Sequence, residues 1–176
     1  MAREEYYTLK LGLGARGRMH DSVQCALNAY LVDSGIREDY RYPNCMACEE
    51  SLFGVAQQQR ITILPEVLLI QLKRWSGTRL LKQPVHLNAT ISFGGATYTL
   101  QAVVFHIGPQ ANDGHYVAHV RSRIHNSWLR YDDEHLVPIR SQSVNEGYET
   151  DFKSYLLFYG KDLDRPLISA SSSLAL

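Results

Sequence analysis

GHYVAHVRSRIHNSWLRYDD, residues 114–133, contains two short segments that predict neighbouring β-strands. The first covers residues 116–121, and the second, residues 128–131, ends in two aspartates. If they pair as an antiparallel hairpin, the start of the first lies beside the end of the second. His115 and Asp132 would then be within reach of each other.

An imidazole held by a carboxylate is the base-and-orienter half of a catalytic triad. The acid keeps one ring nitrogen protonated, so the other can take a proton from a nucleophile. Gly114 is expected to let the backbone turn sharply just before His115. Taken alone, these residues also fit a plainer interpretation, in which the histidine belongs to an exposed turn and Asp132 and Asp133 form a solvated one.

Three motifs extend the pattern along the chain. The hairpin block, GHYVAHV…WLRYDDEHLVPI, is preceded by LPEVLLIQLKRW at residues 64–75 and followed by SYLLFYGK at residues 154–161. In this order and spacing the motifs resemble the C-terminal half of the ubiquitin-specific protease family of cysteine deubiquitinases. The resemblance covers about residues 20–161.

The resemblance implies roles for individual residues. His115 falls on the family's catalytic histidine and Asp132 on its acidic partner, with Asp133 as an adjacent supporting acid. Residues 108–114 match the loop that lies against ubiquitin's C-terminal tail, where Gly114 would allow close approach of the tail. The implied partners are ubiquitin and ubiquitinated proteins, and the catalysis requires no cofactor.

The family's nucleophile is missing from the chain. A Gly-Asn-Thr-Cys box is expected well upstream of the histidine, and no such sequence occurs here. Cys25 is predicted to lie inside a helix as a small buried residue, which makes it a poor candidate nucleophile. Two functions follow: the C-terminal part of a protease whose nucleophile lies on a missing N-terminal half, or a catalytically inactive module that binds ubiquitin or acts as a scaffold.

Cys45 and Cys48 form a CxxC pair with the spacing of zinc ligands. A structural zinc site requires four ligands, and the second CxxC that the family has upstream is absent from this sequence. Cys25 and His20 could be recruited, although no spacing recommends them. The pair is therefore half of a possible structural zinc site, with a metal-free turn as the alternative.

Composition limits the class of partner. Eighteen basic and eighteen acidic residues balance, and no basic stripe is present, which counts against nucleic acid and against an anionic membrane surface. The acidic start does not resemble a signal peptide, and no apolar run approaches membrane-spanning length. Three cysteines do not suggest a disulfide-stapled secreted domain. We expect an intracellular protein of the cytoplasm or nucleus.

The periodicity of the chain predicts an α+β fold, mainly an antiparallel sheet, with one N-terminal helix and a cysteine knuckle. A half-buried strand is expected at residues 6–13 and a helix from 22 to about 33, opened by a capping box of Asp21 and Gln24. The remaining predicted elements are a strand buried on both faces at 67–72, a Gly94-Gly95 hairpin between strands 85–93 and 97–106, a loop at 108–114 and a last strand at 155–159.

These elements are expected to form one partial protease domain. By the resemblance, residues 1–161 make up that domain, with a remnant of the family's fingers at about 1–63 and its palm at about 64–161. Residues 162–176 are rich in serine and predict a disordered tail. Trp75 and Trp128 are expected to pack in the core or on the sheet face rather than to bind a ligand.

Overall fold

The computed structural model describes residues 8–15, 18–32, 61–76, 79–110, 113–122, 127–139 and 152–162. These residues form an α+β fold with a mostly antiparallel sheet and a single helix, as predicted from the sequence. The predicted cysteine knuckle and the serine-rich tail lie outside the described residues. None of the helical structure described is long and apolar enough to span a membrane.

Eight strands build the main sheet, and two small two-stranded sheets lie beside it. The order in the main sheet is β1-β4-β12-β8-β9-β10-β11, with β7 also paired to β8. The strands are β1 (Leu9–Gly12), β2 (Gly14–Ala15), β3 (Arg18–Met19), β4 (Val67–Lys73), β5 (Trp75–Ser76), β6 (Arg79–Leu80), β7 (Thr90–Phe93), β8 (Ala96–Gln110), β9 (Asp113–Ser122), β10 (Ser127–Asp132), β11 (His135–Ile139) and β12 (Phe152–Lys161).

Helix α1 (Val23–Val32) packs its apolar side on the sheet near β1 and β7. Val23, Ala26 and Leu27 are buried, which agrees with the helical spacing in the sequence. The predicted capping box is wrong, because the hydroxyl of Ser22 accepts the hydrogen bond from the Cys25 N–H at 3.2 Å. Gln24 instead reaches across to the backbone of β7, where its amide bonds both the N–H and the C=O of Ser92.

Strand β4 lies inside the sheet, between β1, which is parallel to it, and β12, which is antiparallel. Leu68, Ile70 and Leu72 on one face are buried. The prediction that both faces are buried is wrong, because the other face is only half-covered and Val67 is 58% exposed. Burial therefore alternates along this strand, although its sequence is a continuous apolar run.

The Gly94-Gly95 hairpin is confirmed. Both glycines have positive φ, 59° and 85°, as a two-residue type I′ turn requires. The strand expected from residue 85 begins only at Thr90. The loop expected at residues 108–114 is also wrong in extent, because β8 continues to Gln110 and β9 already begins at Asp113.

A buried arginine, which the sequence did not single out, joins three segments. Arg74 is 1% exposed and follows β4. Its guanidinium donates to the carbonyl and the hydroxyl of Ser154 on β12, at 3.0 and 2.8 Å, and to the Gln83 carbonyl at 2.6 Å. Desolvation lowers its pKa to about 10, which leaves it charged at neutral pH.

The two tryptophans pack as predicted. Trp128 is buried in the core at 7% exposure, and Trp75 makes edge contacts with the rings of His106 and Tyr155.

Candidate active site

The β9–β10 hairpin brings His115 and Asp132 into contact. Trp128 pairs with Arg121 and Tyr131 with Ala118, which confirms the predicted antiparallel pairing. Extending this register by one residue puts Asp132 opposite Val117, so that His115 is its diagonal neighbour on the same face. Nε2 of His115 lies 2.5 Å from Oδ1 of Asp132.

This contact is partly open to solvent and changes both titrations. The side chain of His115 is 44% exposed and that of Asp132 is 30% exposed. The hydrogen bond to Asp132 raises the pKa of His115 above its usual range, and the same bond lowers the pKa of Asp132. Because Nε2 faces the carboxylate, Nδ1 is the ring nitrogen left to exchange a proton with a third group.

Arg130 holds the other oxygen of the carboxylate. Its Nη2 donates to Oδ2 of Asp132 at 2.6 Å, and both side chains are 30% exposed. The guanidinium is a second cause of the lowered pKa of Asp132, and it works against the raised pKa of His115. The sequence carried a signal for this residue, because positions two apart on a strand share a face.

Asp133 supports the site only from a distance. It lies in the turn between β10 and β11, where Asp132 pairs with His135, and its φ of 49° is one that aspartate tolerates better than most residues. The side chain is exposed, and its charge adds a minor raising effect on the pKa of His115. Direct contact with the imidazole belongs to Asp132.

Gly114 lies within β9, and its φ is not positive. The predicted sharp turn is therefore wrong. Close packing explains why a glycine is found at this position. A Cβ at this position would lie 2.7 Å from the carbonyl oxygen of Ile107 and closer still to the ring of His106. His106 is fully buried, and desolvation lowers its pKa. The predicted contact of Gly114 with ubiquitin's tail stays a prediction.

Cys25 is placed differently from the prediction. It is exposed and lies in the first turn of α1, with Sγ 3.4 Å from Nδ1 of His20. Helix α1 packs near β1, and three strands of the sheet lie between β1 and β9, which carries His115. The histidine beside Cys25 is therefore His20, on a different part of the fold from the His115–Asp132 pair.

Metal ligation is a second use that the site residues allow. Ligand atoms of His115, Asp132 and Asp133 lie within 4.8 Å of one another. However, Asp132 already shares its two oxygens between the imidazole and a guanidinium, whose charge opposes a cation. The arrangement suits proton transfer better. Cys45 and Cys48 fall outside the described residues, so the zinc half-site stays a prediction.

Comparison with protein families gives one match that covers most of the chain. Residues 15–159 match the family described as ubiquitin carboxyl-terminal hydrolase. The chain belongs to this family. Its membership agrees with the resemblance to ubiquitin-specific proteases that the sequence motifs carried, and it places the His115–Asp132 pair inside the matched domain.

Curated relatives within the ubiquitin carboxyl-terminal hydrolase family are much longer than this chain. Ubiquitin carboxyl-terminal hydrolase 48 of Danio rerio is 28% identical over 160 residues, which are 83% of this chain and 15% of that protein. Ubiquitin carboxyl-terminal hydrolase 12 of Salmo salar is 29% identical over 171 residues, 85% of this chain and 45% of that protein. The chain thus spans less than half the length of either relative.

Solved structures share the fold at low sequence identity. The SAGA deubiquitinating module Ubp8/Sgf11/Sus1/Sgf73 bound to monoubiquitin matches with a TM-score of 0.71 and 22% identity, over 90% of this chain and 36% of that chain. The same module bound to ubiquitin aldehyde matches with a TM-score of 0.68. These similarities support the α+β fold of the hydrolase domain.

Proposed function

We propose that the chain is the C-terminal part of a ubiquitin-specific cysteine protease, which removes ubiquitin from protein conjugates by hydrolysing the bond at ubiquitin's C-terminal glycine. The observation that carries the proposal is the 2.5 Å contact between His115 and Asp132 inside a ubiquitin carboxyl-terminal hydrolase domain. The partners are ubiquitin and its conjugates. The nucleophile is supplied by a segment that carries the family's cysteine box, which the printed sequence lacks.

In this mechanism His115 acts through Nδ1, because Nε2 is held by Asp132. Nδ1 takes the proton of the cysteine thiol, and the thiolate attacks the carbonyl carbon of ubiquitin's last residue. His115 then donates that proton to the leaving lysine amine. In the second step it removes a proton from water, which cleaves the thioester and regenerates the thiol. Asp132 keeps the ring oriented and stabilises the imidazolium in both steps.

The alternative proposal is an inactive module that binds ubiquitin or acts as a scaffold. It is favoured by the lack of a Gly-Asn-Thr-Cys box in the sequence and by the location of Cys25 beside His20 rather than His115. The protease and the ubiquitin-binding form of the alternative both include ubiquitin binding. They differ in whether an upstream coding segment of the same transcript supplies a cysteine box, which sequencing that transcript would decide.

Ubiquitin binding is tested by titrating the ¹⁵N-labelled chain with ubiquitin and following backbone amide shifts. We expect shifts at Gly114, His115 and Tyr116, and we expect them to disappear when ubiquitin lacks its last two glycines. Shifts that do not depend on these glycines would contradict the contact of ubiquitin's tail with Gly114, and no shifts with a folded chain would contradict ubiquitin binding by this chain.

A second experiment tests the assignment of the nucleophile. The chain is mixed with ubiquitin that carries a cysteine-reactive electrophile at its C-terminus, and adducts are located by mass spectrometry. We expect no adduct that depends on His115. An adduct on Cys25 that is lost in His115→Ala would show that the chain is a minimal enzyme and that the nucleophile was placed wrongly.

A further inference from the structure

Arg130 and His115 bind the same carboxylate from two sides. Nη2 of Arg130 lies 2.6 Å from Oδ2 of Asp132, and Nε2 of His115 lies 2.5 Å from Oδ1. Arg130 precedes Asp132 by two residues on β10, so the two side chains lie on one face of the strand. His115 and Arg130 therefore bind different oxygens of the Asp132 carboxylate.

A permanent cation on the carboxylate limits how strongly that carboxylate can hold a proton on the imidazole. A lone aspartate in contact with histidine favours the imidazolium, and a base that stays protonated cannot take the proton of a thiol. A guanidinium remains charged across the whole range in which histidine titrates. It also fixes the plane of the carboxylate through a charge-assisted hydrogen bond.

We propose that Arg130 is a positioning residue of the His115–Asp132 pair, which holds Oδ2 of Asp132 so that the imidazole shares the carboxylate with a permanent cation. Its catalytic meaning rests on the proposed function, whereas the sharing itself is a property of this hairpin. Arg130 thereby keeps His115 able to gain and lose a proton near neutral pH.

Other charged and titratable groups near His115 come from five places in the fold, one of which is β11, where His135 pairs with Asp132. Asp132 and Arg130 lie on β10, Asp133 lies in the turn after it, and His119 lies on β9 opposite Arg130. On β8, His106 lies beneath Gly114. Desolvation, helped by the charge of Arg130, lowers the pKa of His119 to about 4. Both of these buried imidazoles are therefore neutral near pH 7, and Arg130 is the cation that acts on Asp132.

The test is an NMR titration of the full chain, which follows Cε1–H of His115 and the carboxyl carbon of Asp132. In Arg130→Met the pKa of both groups should rise, because the opposing cation is gone and the carboxylate becomes more basic. Arg130→Gln keeps a hydrogen-bond donor without the charge and should give the same direction. Arg130→Lys keeps the charge and should return both pKa values toward the wild type.

The matched control is Arg121→Met, which removes one positive charge from the neighbouring strand of the same hairpin. It should leave both titrations as in the wild type. A pKa of His115 that is unchanged or lowered in Arg130→Met and Arg130→Gln, with the amide spectrum intact, would overturn the proposal. Ubiquitin binding is measured separately, so its absence would contradict the proposed function without affecting this result.

Discussion

The backbone of Gly114 lies against the imidazole of His106 so closely that no side chain fits between them. His106 is fully buried, and its ring makes edge contacts with the rings of Trp75 and Tyr116, with centroid distances of 5.1 Å to each. Burial and these contacts limit how far the ring can move. The residue directly before the proposed base is a glycine for reasons of packing on β8.

Gly114→Ala should destabilise the protein by about 1–3 kcal/mol, the usual cost of overpacking a filled site. The new methyl would displace either the buried ring of His106 or the carbonyl of Ile107. The free energy of unfolding in urea measures this effect. Gly12→Ala on β1 is the control, because its Cβ would meet only the carbonyl of Gly14 at 3.8 Å. Equal effects at both glycines would contradict the packing explanation.

Ser22→Ala should cost about 1 kcal/mol of stability, because the Cys25 N–H loses the hydroxyl that accepts its hydrogen bond at the start of α1. Asp21→Ala is the matched control and should change stability by less than about 0.5 kcal/mol, as an exposed substitution outside the cap does. Thermal unfolding of the two variants compares them directly. A larger loss in the Asp21 variant would restore the capping box that the sequence suggested.

Arg74→Met should destabilise the protein by about 3 kcal/mol or more, because the buried carbonyl of Ser154 and the half-buried carbonyl of Gln83 would lose their charged donor. Arg74→Lys should lie between wild type and Arg74→Met, since one ammonium cannot reach every acceptor of the guanidinium fork. Lys73→Met, at the exposed neighbouring position, controls for the loss of charge. Denaturant unfolding that shows no difference between the two methionine variants would contradict this account.

The free energy of unfolding should decrease as the pH is lowered from about 6.5 to about 4, because the unfolded chain protonates His119 in this range and the folded chain does not. Burial lowers its folded pKa to about 4, so in this range the unfolded chain binds a proton that the folded chain does not. The difference corresponds to at most about 3 kcal/mol, fully lost below the folded pKa. In His119→Phe the unfolding free energy should depend less steeply on pH. Burial also lowers the pKa of His106, which should account for the dependence that remains. An unchanged pH slope of the unfolding free energy would exclude His119 as its source.

Local patterns predicted much of this fold. The Gly94-Gly95 turn needs positive φ at both positions, which glycine supplies whatever surrounds it. The β9–β10 hairpin follows from two short strands joined in sequence, and its register brings His115 to Asp132. Short-range rules were sufficient because the partners lie within one hairpin.

Features that depend on distant segments could not be predicted in this way. Ser22 caps α1, because the side chain of Gln24 bonds instead to Ser92, 68 residues along the chain. Arg74 is buried because Ser154, 80 residues away, accepts its hydrogen bonds. Nothing within a few residues of either position reveals these partners, so a local reading of the sequence missed them.

The proposed function depends on Asp132 as an ionised acid that holds His115 as a base. The most direct measurement is the pKa of His115 by NMR in the wild type and in Asp132→Asn, which preserves the shape of the side chain and removes its charge. We expect a wild-type pKa above 6.5 that falls in the variant, because the hydrogen bond to Asp132 is the main cause of the rise. A pKa at or below 6.5 that Asp132→Asn leaves unchanged would contradict this role of Asp132.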